Sequence, residues 1–145
     1  MSSVPKSERK KSKQEFDSIH LRIHDEAVKM IELNFHAEHE IVKKYQSYIR
    51  YASSNLMQLV FELTYHVKVA NSIYPTTHEE LVERRIEMDK AIGVCFDILT
   101  MYELIMHTLH VKDDMGVQEI KLLHHQINAI KAWRSNDNVR FKTLK

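Results

Sequence analysis

The stretch MDKAIGVCFDILTMYELIMHTL, Met88 to Leu109, decides the fold. Met88, Ile92, Cys95, Leu99, Tyr102, Met106 and Leu109 alternate spacings of four and three without a fault. Side chains so spaced fall on one face of a helix, because the α-helical period is 3.6 residues. The helix is expected from about His78 to His110. Upstream, Pro75 disfavours helical backbone at Tyr74, and Thr76 or Thr77 with Glu79 or Glu80 three residues on can form a capping box. Downstream, KDDMG with Gly116 breaks the pattern.

Working outward, the same periodicity predicts three more helices. One runs from about Phe16 to Phe35, with Phe16, Ile19, Ile23, Ala27, Met30 and Ile31 on its face and a possible Ser12–Glu15 capping box. A long one spans roughly Ala37 to Ile73 on a seam of Tyr45, Ile49, Ala52, Leu56, Leu59, Leu63, Val67, Ala70 and Tyr74. The last uses Val117, Ile120, Leu123, Ile127, Ile130 and Trp133. It is expected to stop near Ser135–Asn138, where Ser and Asn side chains compete for backbone hydrogen bonds. The chain of 145 residues holds two glycines and two prolines, too few breakers for a strand-and-turn architecture. The expectation is an all-α protein, an antiparallel up-down-up-down four-helix bundle. Its organisation would be a basic arm over 1–13, the bundle over 14–135 and a basic tail over 136–145.

Charge is distributed unevenly. The net charge is +1, yet residues 1–13 carry five basic residues against Glu8, and residues 131–145 five against Asp137. Each end is therefore +4 and the middle −7. An even number of antiparallel helices would bring both ends together, beside the turn at Pro75, as one basic patch. Lysine and arginine there can neutralise phosphates and release counterions. Trp133–Arg134 and Arg140–Phe141 could add stacking to phosphate contact.

Other chemistries find little footing. None of the ten histidines follows a glutamate by three residues, so the Glu-x-x-His pairs of a di-iron bundle are absent; His-Glu-x-x-His is absent too. The pairs His20/His24, His36/His39 and His107/His110 read as helix-surface histidines, and no metal site is expected. Cys95 sits on the seam as a small apolar residue. Glu79/Glu80 and Asp113/Asp114 read as caps and turn residues, and Gly93 as a point of close helix approach. Neither an enzyme nor a cofactor is expected. One cysteine and no apolar leader or long apolar run predict a reduced, cytoplasmic protein with no membrane partner. Trp133 is expected as the last core residue, anchoring the bundle end.

Three stretches carry a resemblance: SVPKSERKKSKQEF, ANSIYP and AWRSNDNVRFK. Together they resemble the accessory variability determinant family, the small four-helix-bundle accessory proteins of diversity-generating retroelements. The resemblance implies a bacterial or phage-encoded, non-catalytic homopentamer. It would bind a reverse transcriptase and its template RNA or cDNA during mutagenic reverse transcription. Carried over residue by residue, the nucleic-acid or polymerase contacts would be Lys6, Arg9, Lys10, Lys11, Lys13, Arg134, Arg140 and Lys142. The acidic body departs from a strongly basic RNA binder. The alternative is a helical-bundle adaptor that oligomerises and binds protein only, without nucleic acid.

Overall fold

A computed structural model describes residues 18–112 and 114–144. The helices are α1 (Ile19–Glu32), a short α2 (His39–Lys44), α3 (Gln46–Ser72), α4 (His78–Thr108) and α5 (Val117–Arg140), with a 3-10 turn at Asn34–His36. No strand occurs among the described residues. The four long helices close a ring: α1 packs on α3, α3 on α4, α4 on α5 and α5 on α1.

Side-chain pairs fix the directions. His20, early in α1, has its Nδ1 3.0 Å from Thr64 Oγ1, late in α3. Tyr48, early in α3, donates to the carbonyl of Leu104, late in α4. Late in α3, His66 meets Glu87 of early α4 at 2.7 Å. Arg84 of early α4 meets Asp137 of late α5. Each neighbour is therefore antiparallel to the last, and the bundle runs up-down-up-down.

The seams lie close to their predicted places, with an informative offset in α4. Its buried residues are Leu81, Arg84, Met88, Ala91, Ile92, Val94, Cys95, Ile98, Tyr102 and Ile105, followed by Leu109. The centre of the seam thus runs through Ala91, Ile98 and Ile105, and Leu99 and Met106 flank it half-buried. Continued backwards, the three-four repeat passes through Arg84 and Leu81. In α3 only Leu59 gives way, to Val60. In α5 the seam holds Glu119, Gln126 and Asp137 besides the expected Leu123, Ile127, Ile130 and Trp133, while Ile120 is half-buried and Val117 is exposed.

The ends differ from the sequence expectation at three points. The long helix expected over 37–73 bends at Tyr45, where φ is −112° and ψ 31°. Before it, Asn34, Phe35 and His36 all take positive φ. Left-handed backbone is costly for a residue with a Cβ, and burial of the Phe35 ring in the core offsets it. The start of α4 meets expectation: Thr77 Oγ1 accepts from the Glu80 N–H at 3.2 Å, and Glu80 Oε1 accepts from the Thr77 N–H at 3.1 Å. Hydrogen bonds to the Glu80 carboxylate from the Thr76 hydroxyl and N–H, and then from the Thr77 hydroxyl and N–H, lower its pKa against the effect of desolvation. Helix α5, by contrast, does not stop at Ser135–Asn138. It continues to Arg140, because Asp137 and Phe141 are held in the interior.

Gly93 is not a close-approach point within the chain, since a Cβ there would meet nothing within 4 Å. By length and mean hydropathy, 1.3 over its most apolar window, α4 is long and apolar enough to cross a membrane. It packs against α3 and α5, and 39% of that window is buried.

Candidate nucleic-acid interface at the end of the bundle that carries the C-terminus

The site is built on Arg84, a residue the sequence reading did not single out. Its side chain is only 2% exposed and Asp137 is wholly buried. The guanidinium takes the carboxylate side-on. Nη2 donates to Asp137 Oδ1 at 3.0 Å, and Nε lies 2.8 Å from Oδ2. Nη1 donates to the carbonyl of Ile73 at 2.9 Å. Three rings surround the cation, with centroids at 4.7 Å (Trp133), 5.6 Å (Tyr74) and 5.8 Å (Phe141). Arginine suits this position because a planar, weakly hydrated cation can be forked and stacked at once. Burial pulls the Arg84 pKa down while Asp137 holds it up. Burial pushes the Asp137 carboxyl up against the pull of Arg84, Arg140 and Arg85.

Arg84 therefore ties two separate stretches together. ANSIYP supplies the Ile73 carbonyl and the Tyr74 ring; AWRSNDNVRFK supplies Trp133, Asp137 and Phe141. Leu81 and Phe141 form a small apolar cluster with Tyr74 and Leu144 around them. Two of the three stretches that carry the family resemblance thus meet on one buried cation. The chain matches no family model, no curated protein and no solved structure. The geometry of this end must therefore carry the functional reading.

The sequence-predicted residues fall as follows. Lys6, Arg9, Lys10, Lys11 and Lys13 lie outside the described residues, as do Phe16, Asp113 and the Ser12–Glu15 pair. Trp133 is buried in the main core with the Arg84 cation over its ring. Arg134 is ion-paired with Asp89 across α4 and α5. Its charge is therefore already matched, though the pair is partly exposed and worth about 0–1 kcal/mol. Arg140 is half-buried with its guanidinium 5.3 Å from the Phe141 ring. Its Nη2 has no hydrogen-bond partner among the described residues. Lys142 is exposed, as is Lys131.

Arg140 and Lys142 also stand at the C-terminus of a helix, where cations are favoured by the helix dipole. The start of α4 reaches the same end and adds Glu79 and Glu80 to it. The surface is of mixed sign: Lys131 and Lys142 stand exposed on it, while the half-buried Arg140 also acts on the Asp137 carboxylate.

Elsewhere, the buried Cys95 thiol is pushed up to about 12 by desolvation, which removes it as a nucleophile. Of the histidine pairs, His20 is buried against Thr64 and His24 faces Asp25 at 3.1 Å. No three His, Cys, Asp or Glu side chains among the described residues are placed to hold a metal ion. The signal for Arg84 was present in the sequence: it is the seam position four residues before Met88. A charged residue on a seam, matched by Asp137 four residues after Trp133, marks a buried pair.

Proposed function

We propose that this chain is a non-catalytic partner of a reverse transcriptase. On this reading it acts in a bacterial or phage-infected cytoplasm as an accessory protein of a diversity-generating retroelement. It contacts the polymerase and its template RNA or cDNA through the end of the bundle that carries Arg140 and Lys142, joined by the basic arm of residues 1–13. A homopentamer is part of the same proposal and rests on the resemblance. The observation that carries the reading is the Arg84 cluster, which joins two of the resemblance-bearing stretches into one rigid wall beside those basic residues.

Phosphate contacts release counterions, so binding should weaken steeply with salt. The test is fluorescence anisotropy with single-stranded RNA across a salt series, with and without the polymerase. Deleting residues 1–13, or making the pair Arg140→Gln and Lys142→Gln, should each weaken binding and flatten the salt slope. Unchanged affinity in both variants would remove the proposal. Deleting residues 138–145 is the poorer test, because it takes Phe141 out of the interior.

A second reading has its own observation. Tyr51, Phe61 and Tyr65 stand exposed on α3, and Ile86 and Phe96 on α4. Exposed aromatic side chains of this kind mark protein interfaces. An adaptor that oligomerises and binds protein alone would use them and would ignore RNA. Phe61→Ser with Tyr65→Ser should then lower the oligomeric state seen by sedimentation; an unchanged state would count against that interface.

A further inference from the structure

The opposite end of the bundle holds a feature that the basic termini do not explain. Helix α4 ends in a paired backbone motif. The Val111 N–H donates to the Met106 carbonyl at 3.0 Å, and the His110 N–H to the His107 carbonyl at 3.4 Å. The chain turns left-handed between them, and the residue that does so is His110, with φ 53°. Glycine is the usual occupant of that position, because it adopts positive φ without steric cost. Side chains kept in strained backbone positions gather at functional sites.

His110 lines a cavity of about 790 Å³ between α4 and α5. His107 from α4 and His124 from α5 line it too, with Glu103 as the one carboxylate. Leu99, Met106, Val111 and Ile120 supply an apolar wall. The volume falls within the range of about 300–1,000 Å³ that small-molecule sites occupy, and their usual lining is an apolar wall with a few polar groups. Each of the three imidazoles offers an N–H donor in either tautomer. They outnumber the carboxylate three to one. A metal ion is not the fit, since the described residues bring no three ligands to ion-binding distance.

We propose that this cavity binds a small amphipathic organic anion, with its charged group at the histidine-bearing side of the lining and its carbon chain on the apolar wall. The site is independent of the polymerase-partner reading, being at the other end of the molecule. Sodium octanoate is the probe and 1-octanol its uncharged counterpart, titrated into the full chain with methyl-labelled methionine. The Met106 methyl resonance, assigned through Met106→Leu, should shift saturably with octanoate and bind octanol at least fivefold more weakly.

The decisive variant is His110→Gly. It relieves the left-handed strain, so the Tm should rise by about 2–4 °C. It should nonetheless weaken octanoate at least fivefold, and His124→Ala should do the same with little change in Tm. A residue kept for structure alone would not show stability rising as binding falls. Octanoate affinity within twofold of wild type in both variants would overturn the proposal. Equal binding of octanol would overturn it as well.

Discussion

Removing Asp137 should unfold this protein more readily than any other single loss of a polar group. In Asp137→Ala, Arg84 stays 2% exposed but loses both contacts to the carboxylate. It keeps one hydrogen bond, to the Ile73 carbonyl, and its aromatic neighbours. Breaking one side of a buried pair costs about 3–5 kcal/mol, and the retained contacts place this case near the lower end. At about 2–4 °C per kcal/mol for a chain of this size, the Tm should fall by roughly 10 °C. Arg84→Met should cost somewhat less than a stranded carboxylate would suggest, because burial already favours protonation of Asp137. Replacing both groups, as Arg84→Met with Asp137→Leu, removes the desolvation of two charges and should return stability to within about 2 kcal/mol of wild type. Urea unfolding followed by far-UV circular dichroism at pH 7, applied to wild type, Arg84→Met, Asp137→Leu and the double variant, gives all four corners of the cycle. The coupling energy should be at least about 2 kcal/mol. Single losses below about 1 kcal/mol that simply add would refute the claim that this pair organises the end of the bundle.

Three further outcomes follow from the same geometry. Thr77→Ala removes the cap of α4 and should cost about 1 kcal/mol in the same urea assay. Glu119→Gln should stabilise the protein at pH 7. Burial raises the Glu119 pKa above its unfolded value, so the folded state gains stability as pH falls and loses it as pH rises through the folded pKa. The advantage of the glutamine should therefore shrink towards pH 4.5, and an advantage that grows on acidification would contradict the reasoning. Ending the chain at Ser135 should lower the Tm by about as much as Asp137→Ala or more, since it also takes away Phe141; a truncated protein as stable as the full chain would show residues 136–144 to be a dispensable tail.

The architecture was legible because apolar spacing is set by helix geometry alone. Met88, Cys95, Tyr102 and Leu109 sit on the observed seam of α4 as the repeat predicts. Periodicity fixes which stripe faces inward only to within one residue, which is why Ile98 and Ile105 displaced Leu99 and Met106 from its centre. It is also blind to polar residues that ride the seam. Arg84, Glu119, Gln126 and Asp137 read as surface in a hydrophobicity pattern and as interior in the bundle. The helix end near Ser135–Asn138 was misread for the same reason: local composition argues for a stop, and the tertiary pairing of Asp137 overrides it. At the left-handed turn Asn34–His36 the outer two residues are types that tolerate positive φ, but Phe35 between them is not, and an apolar residue there reads as part of a helix face. Of the candidate contacts, the sequence could mark charge but not its partner, and Arg134 had one in Asp89.

The central claim is that the end of the bundle knit by Arg84 presents basic side chains to a phosphate backbone. Single-stranded RNA binding measured between 50 and 300 mM salt tests it directly. For single strands the logarithmic slope is about −0.7 per phosphate neutralised, so four to six contacts from the arm, Arg140 and Lys142 predict a slope of roughly −3 to −4. Each lysine or arginine replaced by glutamine should reduce it by about 0.7. No binding to RNA at the lowest salt, with the polymerase present or absent, would contradict the account.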